Sequence, residues 1–326
     1  AELVGGTANT LVGYNAGNQL DANESNNTFV GHDAGSNADG AEQNTFIGAS
    51  AGGLGIATGN QNVAIGYAAG YDLTDGPGNV LIGTTAGANM TTSDYNVAIG
   101  TGALTSLTTN SHNNVAVGTN ALYSQAADQT GGSITDGTVN SIAIGRNALL
   151  TQNHADAINL AIGYAAGQIV SSGTLNVLIG HEAGMTLTTT NGNTAVGYNA
   201  LKLNTSAANT AVGYKAGAEL GAGADNTALG AYALLEADNE ESFNTAVGRG
   251  ALQHLDIVDG DSNTAVGNNA GRFLSNGSTE VTDIRFCTYF GAMTAGSAAT
   301  GVENENAIGY GAVGIGANTV KVGNTS

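Results

Sequence analysis

Residues 193–201 read NTAVGYNAL and residues 209–217 read NTAVGYKAG, separated only by KLNTSAA. The same phrase recurs along the chain in close variants. Taking the Gly that closes each phrase as position 0 (after Val or Ile in 15 copies, Leu229 and Phe290 in the other two), it falls 17 times from Gly13 to Gly309, mostly 16 to 19 residues apart. The two long intervals are 27 residues (Gly118 to Gly145) and 24 residues (Gly267 to Gly291). Position −4 is Asn in 14 copies: Asn9, Asn27, Asn44, Asn62, Asn79, Asn96, Asn114, Asn159, Asn176, Asn193, Asn209, Asn226, Asn244 and Asn263. Ser141, Cys287 and Glu305 take that slot in the other three, and position +3 is Ala in every copy except the one with Thr294. A fixed period of this length marks a stack of identical structural units.

The unit is read from its residues. The segment before each Gly is short and rich in Val, Ile, Thr and Leu, which predicts a strand ended by Gly. Gly recurs too often for a helix, and a unit of about 17 residues is too short for a helical hairpin. One coil of a parallel β-solenoid fits, and 17 coils at strand spacing predict a rod of about 80 Å. The expected fold is therefore all-β, a β-roll of about 17 coils over residues 1–316. Insertions are expected at 123–140 and 272–287, with a tail at 317–326.

Side chains alternate along a strand, so positions −3 and −1 share one face and −2 takes the other. The aliphatic −1 row (Val12, Val30, Ile47, Ile65, Val196) and the Thr or aliphatic −3 row are expected to line the coil interior. Position −2 is apolar as well, with Leu11, Phe29, Phe46, Leu81 and Leu178 among many Ala, and is expected to pack against a second body. Stacked Asn at −4 is expected to form a structural ladder. Tyr14, Tyr67, Tyr164, Tyr198, Tyr214 and Tyr310, all at +1 just past the corner, are candidate surface contacts for a glycan or protein receptor.

Composition narrows the function. The 326 residues include 51 Gly but one Pro, no Trp and one Cys, with a formal net charge of −19. That sign argues against binding nucleic-acid phosphates or anionic lipid. No apolar run approaches the roughly 20 residues of a membrane span, and the first residues, AELVGG, lack the features of an export signal, as expected if one had been removed. Five His residues are scattered, Cys287 has no metal- or base-like neighbour in sequence, and no phosphate-binding Gly-Lys motif occurs, so no enzyme activity and no cofactor are expected. The acidic stretch DIVDGD offers Asp256, Asp259 and Asp261 as candidate Ca²⁺ ligands, without the spacing of a known calcium loop.

The stretches NVAIGYAAG (62–70), NVAIGTGAL (96–104) and NTAVGRGAL (244–252) resemble the head repeats of YadA-type trimeric autotransporter adhesins and the "NTAxGxxAL" repeats of phage tail fibres. The resemblance implies left-handed parallel β-rolls packed as a homotrimer about a three-fold axis. It also implies an extracellular cell-surface filament or virion fibre that serves adhesion or host and surface recognition. Two alternatives stand beside this reading: a monomeric solenoid stacking end to end into a filament, and a calcium- or ice-binding solenoid. Ice binding needs an exposed Thr array, and the Thr row is expected to face inward.

Overall fold

The computed structural model describes residues 6–21, 23–53, 58–106, 111–123, 140–152, 157–237, 240–255 and 261–324. These residues form twenty strands and no helix, and the named strands pair in parallel. The chain divides into two compact units, Ala1–Ala165 and Ala166–Ser326.

The first unit carries β1 (Thr10–Val12), β2 (Thr28–Val30), β3 (Thr45–Ile47), β4 (Val63–Ile65), β5 (Val80–Ile82), β6 (Val97–Ile99), β7 (Val115–Val117), β8 (Ile142–Ile144) and β9 (Leu160–Ile162). Each pairs in parallel with the next, one coil on. The second unit carries β10 (Val177–Ile179), β11 (Thr194–Val196), β12 (Thr210–Val212), β13 (Thr227–Leu229), β14 (Thr245–Val247) and β15 (Thr264–Val266). It continues with β16 (Ile284–Arg285), β17 (Thr288–Phe290), β18 (Val302–Glu303), β19 (Glu305–Ile308) and β20 (Thr319–Val322). From β10 onward the column runs through β15, β17, β19 and β20, while β16 and β18 pair beside it. Register is kept by residue type, as in Thr194↔Thr210 and Ala195↔Ala211. The fold is the expected parallel β-solenoid. Strand β20 lies in the 317–326 tail and extends the column.

Every strand but β16, β18 and β20 stops at the repeated Gly, for two reasons. Its φ is positive at all 17 marks, between 117° at Gly309 and 145° at Gly31. A Cβ there would also collide with the next coil's backbone; at Gly13 it would lie 2.3 Å from the Gly31 carbonyl oxygen.

The two strand faces are the reverse of the sequence expectation. Position −2 points into the coil: Phe29, Phe46, Leu81, Leu178, Ala195 and Ala211 are all fully buried. Positions −3 and −1 point outward and are half-buried or exposed within the single chain. Alternation separates the two faces but does not say which is inside, and the bulkier β-branched row was the wrong guide. The interior of so short a coil is narrow, so it takes Ala on most rungs.

Where −2 is large, the opposite wall gives way. Leu11, Phe29, Phe46, Leu81 and Leu178 each share a coil with Gly at +4 (Gly17, Gly35, Gly52, Gly87, Gly184). A Cβ on Gly35 would sit 2.6 Å from the Phe29 ring, and one on Gly184 would sit 2.5 Å from Leu178. Conversely, the six coils with Leu at +4 (Leu104, Leu122, Leu149, Leu201, Leu234, Leu252) all carry Ala at −2. Phe29 and Phe46 stack inside successive coils with ring centroids 4.9 Å apart and planes 6° from parallel. This is close packing by exchange of volume across a small core.

The insertion at 272–287 is a hairpin followed by β16. Phe273 bridges antiparallel to Glu280, the Leu274 N–H donates to the Thr279 carbonyl (2.8 Å), and the Val281 N–H donates to the Arg272 carbonyl (3.0 Å). Residues 124–139 of the other insertion lie outside the described residues.

Candidate interaction face

The −4 residues, buried in every copy but the half-buried Asn9, form a hydrogen-bonded ladder along the strand entrances. The Asn27 N–H donates to Asn9 Oδ1 (2.9 Å), Asn44 N–H to Asn27 Oδ1 (3.0 Å), and Asn62 N–H to Asn44 Oδ1 (2.8 Å). The second unit repeats the pattern from Asn193 to Asn263. Side-chain amides turn the other way and donate to the chain as it closes the coil, for example Asn27 Nδ2 to the Ala41 carbonyl (2.8 Å) and Asn209 Nδ2 to the Gly223 carbonyl (2.9 Å). Substituted rungs keep the ladder: Ser141 donates its N–H to Asn114 Oδ1, and its hydroxyl accepts from the Asn159 N–H. Cys287 does likewise with Asn263 Oδ1, and its sulfur accepts from the Glu305 N–H. Each strand entrance thereby satisfies a buried backbone N–H that the parallel pairing leaves over.

At the far end the interior becomes polar. The buried Glu305 carboxylate accepts hydrogen bonds from the Tyr289 hydroxyl (2.9 Å) and from the N–H groups of Ser297 (3.1 Å) and Gly316 (2.9 Å). Burial pushes the Tyr289 phenol far above its ordinary range, with Cys287 and Glu305 adding to the rise. Burial also raises the Cys287 thiol.

The outward strand face carries a row of exposed apolar side chains. Its −1 row includes Val12, Ile47, Ile99, Ile144, Val212, Leu229 and Phe290, all exposed, with Phe290 at 55%. Its −3 row divides by residue type. From β4 to β9 it is Val, Ile or Leu throughout, whereas β11 to β15 and β17 carry Thr194, Thr210, Thr227, Thr245, Thr264 and Thr288 in register.

The +1 tyrosines project from the neighbouring ridge. Tyr14, Tyr67, Tyr164, Tyr198, Tyr214 and Tyr310 are all exposed, as their position predicts. Tyr198 stacks on His181 and on Tyr214 at centroid distances of 5.1 and 5.3 Å, and Tyr14 stacks on His32 at 5.3 Å. Tyr67 stands between the small Ala49 and Thr84 of the adjoining coils and keeps 62% of its surface.

The acidic candidates disperse. Asp256 and Asp259 lie outside the described residues. The Asp261 carboxylate caps the Ser242 N–H (2.6 Å), a turn-stabilising role. Among the described residues, a trio unnoticed in the sequence, Asp21, Glu24 and Asp39, brings carboxylate oxygens within 4.8 Å of one another. Buried Glu24 spends its oxygens on the Asp21 and Gly40 N–H groups, so it caps a turn. His32 and Asp33, and His112 and Asp94, are surface pairs at 2.9 and 3.4 Å.

The chain matches no known family model, and a comparison with curated proteins returns no relative.

Proposed function

We propose that this chain is a structural module of an extracellular fibre or filament, non-catalytic, in which copies pack through their outward strand faces. Three copies would share one axis, as the resemblance to trimeric adhesin heads and tail fibres implies, and the tyrosine ridge would remain free for adhesion or surface recognition. The observation that carries this reading is the outward −1 row. A column of Val, Ile, Leu and Phe held in register on a parallel sheet is the kind of apolar surface that folded proteins cover. Parallel sheets with both faces apolar are ordinarily buried on both.

The test is the mass of the native particle in solution. The proposal expects three times the 32.1 kDa chain. A stable particle of a single chain overturns it.

A second reading draws on the same face. The six aligned Thr residues from Thr194 to Thr288 lie half-buried on the outward face, and a Thr row on that side of the strand supports a reading as an ice-binding surface. The aliphatic −3 row of β4 to β9 weighs toward packing between copies. Thermal hysteresis of the purified chain separates the two readings: activity together with a single-chain mass favours ice binding.

A further inference from the structure

We propose that Glu236, His254 and Glu280 form a pH-sensitive clasp that fastens the 272–281 hairpin to the coils before it. His254 is only 7% exposed and stands between two carboxylates. Its Nδ1 lies 2.8 Å from Glu236 Oε2, 18 residues back, and its Nε2 lies 3.0 Å from Glu280 Oε1, on the hairpin. The first contact is a hydrogen bond. The second is close but lacks hydrogen-bond alignment, and Nε2 is buried with no aligned partner.

The chemistry of the ring makes this arrangement sensitive to its protonation. A neutral imidazole has one N–H, so with Glu236 served through Nδ1, Nε2 turns a lone pair toward the Glu280 carboxylate. The imidazolium presents an N–H to each carboxylate and ties the two segments together. The other charged groups close to this cluster, among the described residues, are Arg272 and Arg249. Arg272 opens the hairpin and lies over the Phe273 ring at 4.4 Å. Burial lowers its pKa, as does Arg249, while Glu280 and Glu236 oppose that shift. The arginines therefore balance the carboxylate charge in both states of His254, and what changes on protonation is the number of hydrogen bonds to the hairpin.

The hairpin's docking has a consequence for the surface beneath it. Phe273 and Leu274 join Met293 and Val313 around an apolar cavity of about 180 Å³. Releasing Glu280 loosens that wall.

Hydrogen exchange of the assembled full chain tests the clasp, reading a peptide over 272–284 at pH 5 and pH 8 after correction for intrinsic exchange. One charge-assisted hydrogen bond predicts about tenfold greater protection at pH 5. A peptide over β14 serves as the control and should not change. His254→Gln should abolish the difference. Glu280→Gln should leave the hairpin equally protected at both pH values, because an amide accepts from or donates to either ring state. Equal protection in the parent at the two pH values overturns the proposal, as does a tenfold difference that survives in either variant.

Discussion

The two faces of the strand column differ in what limits them. The inner face has a fixed volume. Each rung must share a narrow space with the +3 Ala and the +4 residue, so Ala dominates and a Phe or Leu enters only opposite Gly. The outer face has no wall in the single chain, so β-branched residues fill it and change freely between Val, Ile and Thr. Residue size along one face therefore reports confinement, and hydrophobicity alone does not. A face of small residues with occasional large ones balanced elsewhere is an interior; a face of uniform bulk is an outer surface.

The largest expected effect comes from breaking the inner face. Ala211→Glu places a carboxylate where no exposure remains, among aliphatic rungs. Burying an unpaired charge there should cost more than about 4 kcal/mol and abolish the cooperative melt. A folded Ala211→Glu chain would contradict the inward assignment of −2.

Next in size is the ladder that joins the faces. Asn209→Ala removes the acceptor of the Asn226 N–H and the donor to the Gly223 carbonyl, leaving both buried groups unpaired. A loss of about 2–4 kcal/mol is expected. Asn209→Ser should recover part of it, since Ser141 keeps its rung, and thermal melts of the two variants beside the parent decide this.

A smaller effect concerns the polar end of the interior. Burial holds Tyr289 and Cys287 protonated in the folded chain beyond their ordinary values of 10.0 and 9.0. Groups whose pKa rises on folding lend stability that is complete below the unfolded value and drains as pH climbs past it. Tm should therefore be unaffected by these two groups below about pH 9 and fall above it. Tyr289→Phe, whatever its cost at neutral pH, should show a shallower alkaline decline. An equally steep decline would show that the interior there is not closed to water.

The smallest effect lies at the corners. Thr85 is held at φ 54°, a conformation that a β-branched residue resists, whereas Asn15, Asn120, Asn147, Asn199 and Asn269 occupy the same +2 site in other coils. Thr85→Asn should stabilise by about 0.5–1 kcal/mol, read from the denaturation midpoint.

Much of the fold was legible in the sequence because the repeat is physical. Gly at 0 meets the Gly of the coil above, and Asn at −4 bonds to the Asn of the coil above, so constancy at those positions reported contact between copies. The inner and outer faces were misassigned because alternation is symmetric. A signal that would have settled them was present: Gly35 with Phe29, and Leu201 with Ala195, show −2 and +4 trading volume, which only residues sharing an interior do. The Asp21, Glu24 and Asp39 cluster and the His254 clasp were legible only in part. Asp21 and Asp39 share position +8, and Glu236 and His254 share position +6, one repeat apart, so those pairs were open to the spacing; Glu24 and the hairpin's Glu280 repeat at no such position, and nothing in the sequence brought them to the pairs.

The most direct test of the central claim, that the −3 and −1 face is the outer one and is covered by other copies, is light scattering of Val196→Glu/Val212→Glu beside the parent. Both residues lie on the outward row, and neither side chain enters the coil. The double variant should keep the β-rich circular dichroism of the parent and fall from three chains per particle to one. A variant that folds and still runs at the parent's multimeric mass would contradict it.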